Sequence, residues 1–316
     1  MWLNALLVVL GVVLVIKGAD MLTEGAVGIA ERLRMPQFLI GLTVVAVGTS
    51  MPEFCVSLVS ALKGTADLAV GNVIGSNIFN AMPIVGITAM VAPMSVLKST
   101  VRLDIPFALL ASVLLAAFCI DGEITRIDAG ILFVLLLLFM YVTLHHAKKN
   151  RDQQQEPTED ATTYKPLMPV WKALLLMLVG LACLIGGSNL FVEGATQIAA
   201  ALGVSDAVIG LTIVAMGTSL PELATSVVAA RKGNSGIAIG NVLGSNVLNI
   251  LLILGVTGLI SPMHIQGITT VDLAMLVVSM VLLLIFSFTK YTIARWEGAV
   301  LTALFVGYVA WLIATV

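Results

Sequence analysis

Charge is scarce in this chain. Only 11% of its 316 residues are Asp, Glu, Lys or Arg, while 59% are hydrophobic and the mean hydropathy is +1.08. A water-soluble domain of this length cannot hide so much apolar surface in one core, so the composition excludes a soluble globular protein and leaves a multi-span helical membrane protein. Cysteine is scarce too: Cys55, Cys119 and Cys183 lie in apolar segments without metal-ligand spacing, and each reads as a small buried thiol, with no disulfide required. His145, His146 and His264 do not cluster. The first apolar segment lacks a basic leader region and a cleavage site, so it is expected to stay in the mature protein. The glycine-rich stretches have neither a preceding strand pattern nor a phosphate-binding Lys, so nothing points to nucleotide binding, nucleic-acid binding or covalent catalysis, and the chain does not read as an enzyme.

What is present is present twice. GLTVVAVGTSMPEF at 41–54 returns as GLTIVAMGTSLPEL at 210–223, and GNVIGSNIFN at 71–80 returns as GNVLGSNVLN at 240–249. A constant offset of 169 positions aligns Gly48 with Gly217, Ser50 with Ser219, Pro52 with Pro221 and Glu53 with Glu222. It also aligns KGADMLTEGA at 17–26 with GGSNLFVEGA at 186–195. The chain therefore divides into a first repeat, 1–147, a polar linker, 148–167, and a second repeat, 168–316.

The hydrophobic runs predict ten helical spans: 3–22, 38–62, 70–92, 104–120 and 127–145, then 171–192, 206–230, 238–260, 269–289 and 297–315. Five spans per repeat is an odd number, so the second copy enters the membrane from the opposite side. The expected fold is all-α, an integral membrane protein of two inverted-topology five-helix repeats, the plan that alternating-access transporters use around one midplane site. Among cations in the loops, all but Lys63 and Arg126 fall after spans 1, 3, 5, 7 and 9. The positive-inside rule then places the linker in the cytoplasm and both termini outside.

The repeated motifs carry the chemistry. Pro52 and Pro221 remove a backbone donor inside spans 2 and 7, so each helix is expected to bend or unwind around Thr49-Ser50 and Thr218-Ser219 and to free carbonyls as oxygen ligands. Glu53 and Glu222 follow Ser50 and Ser219 by three residues, which puts hydroxyl and carboxylate on one face. In spans 3 and 8, Asn72, Ser76 and Asn80, and their copies Asn241, Ser245 and Asn249, line one face at intervals of four, while Asn77 and Asn246 sit beside them to complete an ion shell or cap a broken helix. A lone Ser or Asn in a membrane helix most often bonds a neighbouring carbonyl. Two equivalent carboxylates at membrane depth resist that reading and point to a cation or a proton relay. Hard oxygens of mixed charge suit Ca²⁺ and Na⁺. Asp20, Glu24 and Glu193 lie near the ends of spans 1 and 6 and read as structural, and Asp67 reads as a vestibule or cap residue.

GTSMPE followed by GNVIGSNIFN, and GTSLPE followed by GNVLGSNVLN, resemble the two alpha repeats of the sodium/calcium exchangers, within the wider cation/calcium exchanger superfamily. The resemblance covers essentially the whole chain, in the compact prokaryotic form of the family. It implies a plasma-membrane antiporter, functional as a monomer and without a prosthetic group, that binds its cargo Ca²⁺ or Na⁺ between spans 2, 3, 7 and 8. Carried over by motif, Glu53 and Glu222 are the central anionic ligands, Ser50 and Ser219 their hydroxyl partners, and Thr49 and Thr218 carbonyl donors at the helix break. Ser76, Ser245, Asn80 and Asn249 complete the implied set, and spans 1 and 6 slide across the four-helix core. The sequence departs from part of the family at Asn249, where some members have Asp. The linker also has no room for the calcium-sensing domains of the animal exchangers. With two carboxylates, one Ca²⁺ is neutralised and the family's three Na⁺ leave the site at +1, which makes sodium/calcium exchange electrogenic. Two protons neutralise the same pair, so calcium/proton exchange is the alternative.

Overall fold

The computed structural model describes residues 2–33, 35–153, 167–202 and 215–315. Most of the predicted linker and the first part of predicted span 7 lie outside the described residues. The first repeat contains α1 (Trp2–Leu33), α2 (Gln37–Thr49), α3 (Met51–Leu62), α4 (Ala66–Val91), α5 (Thr100–Phe118) and α6 (Arg126–Gln153). Their copies are α7 (Val170–Ala201), α8 (Ala215–Thr218), α9 (Leu220–Arg231), α10 (Ser235–Ile260), α11 (Thr270–Phe288) and α12 (Arg295–Thr315). Among the described residues, eight helices are long and apolar enough to cross a membrane, and the bent pair α2 and α3 makes nine.

Burial sorts the spans into an inner pair and an outer shell. The most apolar windows of α4 and α10 are 78% and 94% buried, against 22–39% for the other single-helix spans. Those outer helices expose Leu, Val, Ile and Trp side chains, which is the surface a bilayer covers and water does not.

Two short antiparallel ribbons record how the repeats are related. β1 (Met94–Ser95) pairs with β4 (Thr292–Ile293), and β2 (Glu123–Ile124) pairs with β3 (Met263–His264). Shifted by the repeat offset, Met94 opposite Ile293 becomes Met263 opposite Ile124, and Ser95 opposite Thr292 becomes His264 opposite Glu123. Each ribbon is thus the copy of the other, and each ties a loop of one repeat to a loop of its partner. The first joins the connections after spans 3 and 9, the second those after spans 4 and 8. In a ten-span topology these two pairs of connections face opposite sides, as inverted repeats require.

The helices α1 and α7 run well past the predicted spans 3–22 and 171–192, each continuing as one 32-residue helix. Polar residues such as Thr23 and Glu24 interrupt the hydropathy there, but the two helices support one another. They pack antiparallel along a glycine seam repeating every seven residues: Gly11, Gly18 and Gly25 against Gly187, Gly180 and Ala173. A Cβ on Gly18 would lie 2.6 Å from the Gly180 carbonyl oxygen, and one on Gly187 would lie 2.8 Å from that of Gly11.

Among the described residues, this symmetry fails most plainly where α1 meets the second repeat. α1 packs along α9, whereas its copy α7 makes no comparable contact with α3 among the described residues. The second half of α1 is buried at Leu22, Ala26 and Ala30, while the equivalent Phe191, Ala195 and Ala199 of α7 are only half-buried. On the covered helix α9, Pro221 and Thr225 are buried; the equivalent Pro52 and Val56 of α3 are not.

Candidate ion-binding site

The site is built on two interrupted helices. The chain breaks at Ser50 (φ −84°, ψ 6°) and at Ser219 (φ −93°, ψ 7°), and α2 and α3 meet at 48°. Pro52 and Pro221 explain the breaks, since each removes the donor for the carbonyl four residues back, Gly48 or Gly217. The Gly217 carbonyl is taken up instead by the Ser188 hydroxyl of α7. A new helix then starts at Met51 or Leu220, which places Glu53 and Glu222 in its first turn, at the end where the helix dipole favours an anion.

The two breaks meet at the centre of the protein and interlock across the repeats. Ser50 Oγ donates to Glu222 Oε1 at 3.1 Å, and Ser219 Oγ donates to Glu53 Oε1 at 3.0 Å. Each serine therefore serves the carboxylate of the other repeat, whereas its spacing in sequence pairs it with the glutamate of its own helix. Ser219 Oγ also lies 3.4 Å from Ser76 Oγ. The hydroxyls of Thr49 and Ser245 lie against the Glu222 carboxyl, and that of Thr218 against Glu53. Both glutamates are 1% exposed.

Several oxygens in this buried cluster have no donor within the protein. These are Oε2 of Glu53, Oε2 of Glu222, Oδ1 of Asn80 and Oδ1 of Asn249. Leaving one buried acceptor unmatched costs about 1–3 kcal/mol, and more when it is charged. A hard cation would satisfy several of these acceptors together. Asn80 opens a π-helical turn, Asn80–Ile84, and Asn249 falls in another, Leu248–Leu254. The wider turn re-aims side chains without ending the span, a device common at functional sites. Among the described residues, no group of three or more His, Cys, Asp or Glu could hold a metal, so the donor set here is two carboxylates and neutral oxygens.

Of the ten residues singled out by sequence, Thr49, Ser50, Glu53, Ser76, Asn80, Ser219, Glu222, Ser245 and Asn249 are all buried, and Thr218 is half-buried at the same break. Asn72 and Asn241 do something other than add oxygens to the cluster. Asn72 Nδ2 donates to Ser57 Oγ at 2.9 Å and to the Glu53 carbonyl at 3.2 Å. Asn241 Nδ2 makes the copied bonds to Ser226 Oγ at 3.1 Å and to the Glu222 carbonyl at 3.4 Å, and its Oδ1 accepts from Thr49 Oγ1 at 3.1 Å. Each asparagine clamps an inner helix to the glutamate-bearing one. Sequence reasoning missed Ser57 and Ser226, although both are serines at the repeat offset, one turn beyond each glutamate. Asn77 Nδ2 bonds its own helix at the Val73 carbonyl, and Asn246 Nδ2 contacts Met280 Sδ. Asp67 has the capping role: its Oδ1 accepts from the backbone of Gln266 and Gly267, each at 2.8 Å.

Comparison with known proteins agrees with this geometry. The family model described as sodium/calcium exchanger protein matches residues 3–145 and again 172–314. Inner membrane protein YrbG of Escherichia coli is 35% identical over 99% of this chain and 96% of its own length. Sodium/calcium exchanger MaX1 of Methanosarcina acetivorans is 33% identical over 96% of this chain and 97% of its own. The structure of the sodium-calcium exchanger NCX_Mj, soaked with Na⁺ and Ca²⁺, superimposes with a TM-score of 0.83 at 34% identity, covering 98% of both chains. The same two inverted five-helix repeats underlie both folds. With both halves matched, in order and over nearly its full length, this multi-pass membrane protein belongs to the sodium/calcium exchanger family.

Proposed function

We propose that this chain is an alternating-access antiporter that exchanges Na⁺ for Ca²⁺ across a prokaryotic inner membrane. The observation that carries the reading is the crossed pair of Ser-Glu bonds, which leaves one unpartnered carboxylate oxygen from each repeat in a buried cluster of neutral oxygens. Glu53 and Glu222 supply the charge, Ser50, Ser219, Ser76, Ser245, Asn80 and Asn249 supply side-chain oxygens, and Thr49 and Thr218 supply carbonyls at the helix ends. The names of the relatives MaX1 and NCX_Mj support the choice of ions. The repeats 1–147 and 168–316 are the units that exchange roles, the linker 148–167 lies in the cytoplasm with both termini outside, and a single chain suffices.

Coupling follows from charge. One Ca²⁺ balances the two glutamates, and Na⁺ ions compete for the same oxygens, so the two cargoes exclude one another. Without a cation, two desolvated carboxylates oppose the passage of the site through its closed intermediate, which suppresses slippage. The test is uptake of radioactive Ca²⁺ into sealed vesicles carrying the purified protein at clamped voltage. An outward Na⁺ gradient should drive uptake, and Glu53→Gln with Glu222→Gln should abolish it. Normal exchange by that double variant would sink the proposal. The second reading, calcium/proton exchange, rests on Asn249: with no third acid, two protons neutralise the site as well as one Ca²⁺ does. Uptake driven only by a pH gradient would establish it.

A further inference from the structure

The asymmetric packing of α1 on α9 also contains an ion pair that the symmetry cannot reproduce. Lys232, just past the end of α9, bonds Asp20 in the middle of α1. The repeat offset maps Asp20 onto Asn189 of α7 and Lys232 onto Lys63 at the end of α3. Asn189 and Lys63 are both exposed, and Lys63 makes no ion pair among the described residues.

We propose that the Asp20 to Lys232 ion pair is a conformational latch: it holds α1 over α9 and biases the protein toward the state in which that end of the bundle is closed. The argument rests on the alternating-access reading. In an inverted-repeat transporter, the opposite state is obtained when the two repeats trade conformations. α7 then lies along α3 as α1 now lies along α9, and Asn189 comes to Lys63 as Asp20 now comes to Lys232. That contact joins an amide to an ammonium, with no opposite charge. Asp20 meanwhile leaves Lys232. The chain thus closes one end with an ion pair and the other with a weaker polar contact.

Both side chains are partly exposed, at 39% for Lys232 and 44% for Asp20, so the bias is small. Exposed pairs of this kind shift an equilibrium by roughly two- to five-fold, and salt weakens them. A shift of that size matters in a transporter whose two states are nearly degenerate.

The test is hydrogen-deuterium exchange of the full-length protein in detergent, comparing the α3 segment with the α9 segment at low and high salt. In the unmodified protein α9 should be the more protected. Asp20→Asn should lower protection of α9 and raise that of α3, and Asn189→Asp should move the ratio in the same direction by supplying Lys63 with a partner. Combining the two should move it furthest. The charge exchange Asp20→Lys with Lys232→Asp should restore the original ratio. An α3 to α9 ratio unchanged in both single variants, or a charge exchange that fails to restore it, would overturn the latch. The readout needs no cargo, so its outcome is separate from that of the antiport assay: vesicles that transport normally beside an unmoved exchange ratio reject the latch alone.

Discussion

Replacing Asn249 by Asp tests the charge inventory on which the proposed mechanism depends. Asn249 is 1% exposed, and neither its Oδ1 nor its Nδ2 has a partner, so an isosteric Asp adds charge without breaking a hydrogen bond. With two glutamates the Ca²⁺-loaded form is neutral, and three Na⁺, the number that the family resemblance implies, would leave the sodium form at +1. A third carboxylate makes the same two forms −1 and neutral. The voltage-sensitive limb of the cycle therefore moves from Na⁺ to Ca²⁺. One charge crossing the whole potential is worth about 2.3 kcal/mol per 100 mV. At about 1.4 kcal/mol per decade, that is an upper bound of roughly fifty-fold in rate. The assay is exchange of radioactive for unlabelled Ca²⁺ in Na⁺-free vesicles, clamped with potassium and valinomycin, at alkaline pH so that the added acid is ionised. The unmodified protein should exchange at a rate independent of voltage, and Asn249→Asp should show a several-fold dependence over 100 mV. A flat response in the variant, or a steep one in the unmodified protein, would refute the count of two carboxylates.

Three further outcomes follow from the same geometry. Glu53→Gln and Glu222→Gln should weaken Ca²⁺ far more than Na⁺, and by similar amounts, because a unit pair near 4 Å is worth about 4 kcal/mol at an effective dielectric of 20 and a divalent ion doubles it; titration calorimetry with each ion checks this. Asn241→Ala cuts the bonds to Ser226 and the Glu222 carbonyl and should lower stability by about 1–3 kcal/mol, read as a fall in Tm, with a smaller loss of Ca²⁺ affinity than either glutamine variant. Gly18→Val drives a side chain into the Gly180 backbone and should cost at least about 1–3 kcal/mol, whereas Gly186→Ala, where an added Cβ meets nothing within 4 Å, should leave the unfolding temperature unchanged.

The duplication made most of the fold legible in the sequence, because a single offset fixed the spans, their inversion and the two helix breaks together. It also singled out the two candidate glutamates, since a carboxylate after Ser-x-Pro in an apolar run is costly unless a cation or proton neutralises it, and the family resemblance supplied the other eight candidates. Three features stayed hidden for physical reasons. Asn72 and Asn241 share their helix face with Ser76 and Ser245, and spacing along one helix does not say which neighbour each residue meets. The crossed Ser50 to Glu222 and Ser219 to Glu53 bonds are tertiary contacts between segments more than a hundred residues apart, which local periodicity cannot order. The length of α1 and α7 was masked because their polar second halves fail a hydropathy test. They stay helical because the glycine seam brings the two backbones into contact.

A fourth hidden feature is the asymmetry itself, and no reading of duplicated sequence can supply it. If both repeats held the same conformation, α7 would cover α3 as α1 covers α9, and both ends of the bundle would be closed alike. A transporter must break that equivalence in each of its working states, so near-identical segments such as Pro52 and Pro221 have to differ in burial, as they do here. Repeat copies with matched chemistry keep the free-energy gap between the two states small, because the packing that one repeat gives up is taken on by the other. The balance is then set by positions where the copies differ, among them Asp20 against Asn189, Thr225 against Val56, and Ser188, which holds the freed Gly217 carbonyl, against Ala19. Substitutions there should alter which side the site faces while leaving its oxygens in place, whereas substitutions at Glu53 or Glu222 should alter what is bound on either side.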